Sequence, residues 1–349
     1  MKRALLILIA LAAIAAAGAA AVLYSRTSEP YQGYDAAERF VSIEPGSATS
    51  RIGRQLIESG VVRDEATFRA ALWRTGSARA LQAGEFRFDQ PMTPTEVIEK
   101  IARGEVHQRR VTFREGLDVR EMARIYEAEG FGKAEAFAEA ARDTTAVRDI
   151  DPEAGDLEGY LFPETYSIPR NATAIQLTRS MVERFRRLFT PEMIQAARSL
   201  GLTPRQAVTL ASLVEKETAL PSERPIVAAV YLNRLKIGMP MQADPTVIYA
   251  LQRARRYDGN LRRDDLSFDS PYNTYRYPGL PPGPIASPGL AALKASVAPA
   301  DVDFLYFVSR NDGSHVFAQT LAEHNDNVRK FQVEYFRAQR AAERAGGSR

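Results

Sequence analysis

The chain has 349 residues, 45% hydrophobic and 26% charged, the proportions of an ordinary globular protein long enough for two domains. Its 46 basic and 43 acidic residues nearly cancel to a net charge of +3, and the arginines are spread along the chain, so charge makes no case for nucleic acid. The absence of cysteine excludes disulfides, thiolate chemistry and Cys-based zinc; three scattered histidines (His107, His315, His324) argue against a metal centre, and no cofactor is called for.

Lys2 and Arg3 precede an uncharged Ala- and Leu-rich run, Ala4 to Tyr24, about long enough to cross a bilayer once. The short basic flank predicts a cytoplasmic N-terminus with the remainder outside. A cleaved signal peptide is the rival, since A-x-A spacings occur between Ala15 and Ala21. Residues 1–24 are therefore read as a cytoplasmic stub and membrane anchor, and 25–38 as a linker.

Residues 39–145 read as a small α+β module. Arg39 to Ile43 is expected as a strand and Ser47 to Ser59 as a helix, and Asp64 opens a second helix carrying Trp73. Gly84 to Phe88 is a strand, and the capping box at Thr93 and Glu96 opens a helix ending at Gly104. Arg110 to Phe113 is a third strand, before a helix capped by Asp118 and Glu121 and ending at Gly130. Strand, turn, capped helix and glycine recur, too irregularly for a solenoid. Nothing in the module reads as catalytic.

Lys133 to Arg142 is expected to be helical, and the loop-like stretch Asp143 to Gly155 is taken as the domain boundary. Residues 146–340 form the second domain, with 341–349 a basic tail. In LEGYLFPETY, Leu157 to Tyr166, Glu158 and Glu164 alternate with Tyr160, Phe162 and Tyr166; this is either an irregular connection packed by its aromatics or a wall facing a sugar. Ala172 to Leu188 and Pro191 to Leu200 are amphipathic helices, and another helix starts at Ser222. Met241 to Thr246, including Gln242, Asp244 and Thr246, is polar and turn-rich, and Arg253 to Asp265 is a charged excursion. Tyr272, Asn273, Thr274 and Tyr275 precede GLPPGP, a loop stiffened by proline that is either pre-shaped for a ligand or packed on the surface. Leu290 to Val297 is helical, a hairpin joins Phe304–Val308 to Ser314–Phe317, and a terminal helix starts near Leu321.

The remaining stretch, Thr203 to Thr218, carries the strongest chemical signal. Thr203 caps, Pro204 suits the first helical turn and Gln206 completes a capping box. Ala207, Val208, Leu210, Ala211, Leu213 and Val214 are apolar on every side of the helix, which places it in a core. Yet it ends in Glu215, Lys216 and Glu217. Either the helix surfaces there with solvated charges, or one carboxyl sits at a cleft wall with a raised pKa, suited to general acid work. The two acids lie about 200° apart around the axis, and the wheel alone does not choose between them.

Taken together, LEGYLFPETY, ASLVEKET, NRLKIGMPMQADPTVIYA, YNTY with GLPPGPIASPG, and DGSHVFAQTLAEHN, in that order, resemble the YceG-like family, the MltG-type endolytic murein transglycosylases of bacteria. The likeness runs over nearly the whole chain; Glu164 stands where the family pattern suggests Asp, and Arg253 to Asp265 looks long. The resemblance implies a single-pass inner-membrane protein with an extracytoplasmic catalytic domain, in an α+β fold: membrane helix, LysM-like module, mostly helical catalytic domain with a short sheet. It implies non-hydrolytic cleavage of the MurNAc–GlcNAc β-1,4 bond inside nascent peptidoglycan strands, leaving 1,6-anhydro-MurNAc ends, with cell-wall synthases as further partners. The family's catalytic glutamate carries over to Glu215, the first acid of VEKET.

One carboxylate suffices for such a reaction, because the nucleophile is the sugar's own 6-hydroxyl. Tyr272, Asn273, Thr274 and Tyr275 are candidates to orient acid and sugar, and Glu158, Tyr160, Glu217, Gln242, Asp244 and Thr246 to line the groove. Two rivals stand beside this reading: a muramidase using water with Asp244 as second carboxylate, and a peptidoglycan-binding scaffold with an inactive domain. No P-loop or dinucleotide fingerprint is present.

Overall fold

The computed structural model describes residues 2–169 and 172–346; Met1 and the last three residues of the basic tail lie outside them. It is a helix-rich α+β structure whose strands, among the described residues, form three two-stranded sheets. Two compact units are present, Met1–Arg110 with Ser167–Ala172, and Val111–Tyr166 with Thr173–Arg349.

The first unit begins with α1 (Lys2–Ser28), whose span Leu6–Ser28 has a mean hydropathy of 2.7. Leu6, Ile7, Leu8, Leu11 and Ile14 are all exposed, so the helix is apolar with no protein packed around it. It continues four residues past Tyr24 into the expected linker, because the side chain of Thr27 is buried there against the unit. Next come β1 (Arg39–Ile43), α2 (Thr49–Glu58), α3 (Glu65–Thr75), β2 (Gly84–Phe88) and α4 (Pro94–Ala102). β1 and β2 pair antiparallel from Arg39 opposite Phe88 to Ile43 opposite Gly84. The two-residue period of a strand then sends Val41, Ile43, Phe86 and Phe88 to one face, onto Ile52, Leu56, Phe68, Val97, Ile98 and Ile101.

β3 (Gln108–Thr112) leads into the second unit and pairs with β4 (Thr165–Pro169), a strand the sequence reading left inside an irregular connection. Pro163 and the aromatic run hide it; Tyr166 and Ile168 nevertheless alternate inward on a strand period. Between them lie α5 (Val119–Ala128) and α6 (Ala134–Ala140). The units therefore part at Arg110–Val111, and the loop-rich stretch 143–155 lies within the second unit.

Then follow α7 (Ala174–Leu188), α8 (Pro191–Ser199), α9 (Pro204–Glu217), α10 (Arg224–Lys236), α11 (Asp244–Arg253) and α12 (Leu290–Val297). The hairpin β5 (Tyr306–Ser309) and β6 (His315–Ala318) precedes α13 (Leu321–Val328), a π-helical stretch Arg329–Glu334 and α14 (Tyr335–Gly346). α9 is the centre of this unit. Its capping box is formed, with Gln206 N–H donating to Thr203 Oγ1 at 3.2 Å and Thr203 N–H to Gln206 Oε1 at 2.9 Å. All residues from Ala207 to Val214 are buried, among α8, α10, α11 and α12. The proline-stiffened loop is packed inside rather than on the surface: Ile285 N–H donates to Ser212 Oγ of α9 at 3.1 Å, and Ala286 and Ser287 are fully buried.

Candidate active site

A helix buried along its length must deliver its polar end somewhere, and the last turn of α9 opens on a cleft of about 690 Å³. Phe113, Arg114 and Glu115 line one side; Glu215 to Ala219 and Arg224 line the other. The Glu115 loop is held in place by backbone. Gly116 N–H donates to Ser287 O at 2.9 Å and Ser287 N–H to Leu117 O at 2.8 Å, while Lys216 Nζ donates to Gly116 O at 3.1 Å. Gly116 has φ +77, a left-handed turn that glycine adopts without penalty.

Glu215 presents only 6% of its side chain to solvent, and both carboxyl oxygens are satisfied. Oε1 accepts from Arg224 Nη2 at 2.8 Å, and Oε2 accepts from Gly289 N–H at 2.9 Å. Gly289 is the N-cap of α12, so the carboxylate also faces the positive end of that helix. Burial pushes the Glu215 carboxyl above the ordinary range; Gly289 N–H and Arg224 pull it down and Glu115 pushes it up, with a net rise. Arg224 is itself 92% shielded, and its Nη2 stands 3.4 Å from Glu115 Oε2. The site is thus one cation between two carboxylates, one buried and one open to the cleft.

Glu217 also lines the cleft, but its Oε1 accepts from the buried Tyr231 hydroxyl at 2.7 Å. Burial raises its pKa too, opposed by the Tyr231 hydrogen bond, with Asp244 near enough to raise it further. The other residues singled out from sequence fall outside the cleft lining, in separate groups. Glu158 is buried, with Oε2 accepting from Val119 N–H at 3.3 Å and Tyr249 hydroxyl at 3.2 Å; its pKa is driven well up by burial and then by Asp118 and Asp156. Tyr160 is buried and donates to Asp151 at 2.7 Å, so LEGYLFPETY packs its aromatics inward. The adjacent Gly159 has φ +83 where a Cβ would fall 2.4 Å from Pro284, which closes that loop on the proline segment.

Tyr272 packs against Tyr249 with the rings tilted by 57° and their centroids 5.0 Å apart, under the Arg253 guanidinium. Thr246 and Thr274 are buried with hydroxyls 2.9 Å apart, and Thr274 Oγ1 accepts from Ala243 N–H at 3.0 Å. Gln242 takes φ +51 and donates its N–H to Thr274 O at 3.3 Å, while buried Asn273 binds the carbonyls of Leu266 and Phe268 at 2.9 and 2.8 Å. Asp244 begins α11 rather than lying in a turn, because Pro245 supplies a first-turn residue, and it accepts from the Tyr275 hydroxyl at 2.5 Å.

Glu115, Arg224 and Gly289 were missed by sequence reasoning. A buried acid requires a partner, and that requirement points to Arg224, nine residues on, as the nearest downstream cation after Lys216. A Pro-Gly step opening a helix beside a buried acid is the corresponding signal for Gly289.

Comparison with known proteins follows the same segments. The YceG-like family profile matches residues 41–330. The endolytic murein transglycosylase of Bacillus subtilis (strain 168) is 31% identical over 311 residues, covering 83% of this chain and 84% of that protein. The endolytic murein transglycosylase of Streptococcus pneumoniae serotype 2 is 30% identical over 318 residues; the match covers 82% of this chain but 57% of the pneumococcal protein. A crystal structure of a yceG-like protein from Listeria monocytogenes superposes with a TM-score of 0.56 at 27% identity, covering 83% of this chain and 98% of that one.

Proposed function

The chain belongs to the YceG-like family, and from that premise we propose that it is a membrane-anchored endolytic lytic transglycosylase of peptidoglycan. The observation that carries the proposal is Glu215: a shielded carboxyl with a raised pKa, at the wall of an open cleft, with a cation and a backbone N–H already aimed at its charged form. That is what a single residue acting first as acid and then as base requires.

Protonated Glu215 gives its proton to the oxygen bridging MurNAc and GlcNAc as that C–O bond breaks. Positive charge develops at the MurNAc anomeric carbon, and the carboxylate left behind is stabilised by Arg224 and Gly289 N–H. The carboxylate then takes the proton of the MurNAc 6-hydroxyl while that oxygen bonds to the anomeric carbon. No water enters. One product ends in 1,6-anhydro-MurNAc, the other in a GlcNAc 4-hydroxyl, and Glu215 is again protonated.

α1 is the anchor in this reading, its exposed apolar surface suited to lipid. The small α+β module of residues 39–145, which opens with β1–α2–α3–β2, is the part we read as LysM-like, there to hold glycan. The test is mass spectrometry of purified, uncrosslinked glycan strands incubated with the chain, wild type beside Glu215→Gln. Anhydro-ended internal fragments from wild type alone are expected. Reducing ends, heavier by one water, would instead mean hydrolysis with a second carboxylate.

A further inference from the structure

Trp73 is the chain's single tryptophan, and it stands on the last turn of α3 with 87% of its surface open. An indole this open is free to meet an apolar or interfacial surface, and what stands beside it decides which. Its neighbour Arg74 grips the end of α1. The Arg74 Nη1 donates to Thr27 Oγ1 at 3.1 Å and to Ser28 Oγ at 2.8 Å, and the guanidinium lies 4.8 Å over the Tyr24 ring. Thr27 O accepts from Thr95 Oγ1 of α4 at 3.0 Å, and Arg26 reaches Asp64, the N-cap of α3, at 3.4 Å. α1 therefore ends clamped to α3 and α4, with no slack between the apolar run and the folded unit.

That clamp fixes the level of α3. A bilayer that holds the span Leu6–Ser28 has its surface where Tyr24 to Ser28 leave it, and Arg74 touches those residues. Trp73 is next to Arg74, and Arg69 lies one turn back on the same exposed face. We propose that Trp73 inserts into the interfacial layer of the same bilayer that α1 crosses, seating the first unit on the lipid surface. Indole suits this layer, with an apolar body for the acyl boundary and an N–H for the headgroups, at a depth of about 5–10 Å. A sugar partner is the alternative for an exposed indole, but Trp73 itself is not part of the unit's groove, although its α3 neighbours Arg69 and Leu72 are. That groove, about 350 Å³, is also lined by Thr49, Gly53, Ile57 and Phe68 among others.

The proposal rests on the reading of α1 as a membrane anchor, and the experiment separates the two. The full chain is reconstituted into phosphatidylethanolamine–phosphatidylglycerol vesicles and floated. Intrinsic fluorescence then reports Trp73 alone. Expected are emission to the blue of a free indole, loss of most acrylamide quenching, and stronger quenching by lipids brominated near the headgroup than near the bilayer centre. A chain that floats while its indole emits and quenches like free tryptophan would overturn the Trp73 contact and leave the anchor standing. A chain that does not float would overturn the anchor and this proposal with it. A blue shift that appears only when glycan strands are added would overturn it in favour of a sugar contact.

Discussion

Arg224 Nη2 donates to Glu215 Oε1 at 2.8 Å while standing 3.4 Å from Glu115 Oε2, so one buried guanidinium is shared by the proposed acid and a carboxylate open to the cleft. The two neighbours act on Glu215 in opposite senses: Arg224 pulls its pKa down and Glu115 pushes it up. The alkaline limb of kcat/KM reports loss of the proton from the free enzyme's acid. Glu115→Gln should move that limb to lower pH, and Arg224→Met to higher pH with a reduced maximum, because the carboxylate stage loses its cation. Gly289→Ala tests the same balance from another side. Its Cβ would fall 1.8 Å from Glu115 Oε1, so the exposed Glu115 carboxyl must swing away, and the limb should move as in Glu115→Gln. Limbs moving together in the Glu115 and Arg224 variants, each folded by circular dichroism, would sink the shared-cation account.

Glu215→Gln keeps an acceptor for Gly289 N–H but cannot donate a proton of the needed acidity. Cleavage should fall by about 10²-fold or more, the usual contribution of a positioned acid–base group. Thermal unfolding should follow the wild-type profile, since Arg224 keeps Glu115 as partner. Counting anhydro ends per unit time measures the loss directly. A loss under about threefold would remove Glu215 from its role.

Local rules made much of this legible. The capping boxes at Thr93, Asp118 and Thr203 are all formed, and the β5–β6 hairpin turns through Asn311, Asp312 and Gly313 as Asn-Asp-Gly predicts. These signals are short-range, carried by residues three or four apart. What stayed hidden was long-range. Glu115 lies a hundred residues before Glu215 and reaches Arg224 only because the Gly116 turn is stitched to Ser287. The aromatics of LEGYLFPETY pointed equally to a core or to a sugar wall, and only tertiary packing, with Tyr160 on Asp151, decides their direction. The helical wheel left Glu215 and Glu217 equivalent; the fold gives them different partners, Arg224 for one and Tyr231 for the other, which no local pattern announces.

That difference can be tested on Glu217. Its carboxyl is shielded and hydrogen-bonded by Tyr231, which is itself 1% exposed. Glu217→Gln retains an oxygen to accept from that hydroxyl, and cleavage should stay within about threefold of wild type, far from the effect expected of the acid. Tyr231→Phe strips the donor and leaves a buried acceptor unpaired, which costs about 1–3 kcal/mol of stability in urea unfolding. If Glu217→Gln loses cleavage as completely as Glu215→Gln, the acid is Glu217 and the Arg224 pair is structural.

The exit of α9 depends on a second acid, Glu223, which gives a pH dependence of its own. Its Oε1 accepts from His315 N–H at 2.8 Å, its Oε2 lies 2.7 Å from His315 Nδ1 and accepts from Thr218 Oγ1 at 3.0 Å. Burial pushes the Glu223 carboxyl up, but the His315 and Thr218 hydrogen bonds outweigh it and hold the pKa below the usual 4.5. A carboxyl depressed in the folded state binds its proton less tightly there than in the unfolded chain. Its contribution is therefore fully present above the unfolded value and is lost as pH falls through the folded one. His315→Ala removes the ring donor while leaving the backbone donor. At neutral pH it should destabilise by about 2 kcal/mol, the scale of a hydrogen bond to a charged group. The gap from wild type, followed by denaturant unfolding, should narrow as pH drops below the carboxylate range. A gap that stays constant with pH would mean that His315 acts only by packing its ring 5.5 Å from Phe307, and that Thr218 and the backbone alone keep Glu223 ionised.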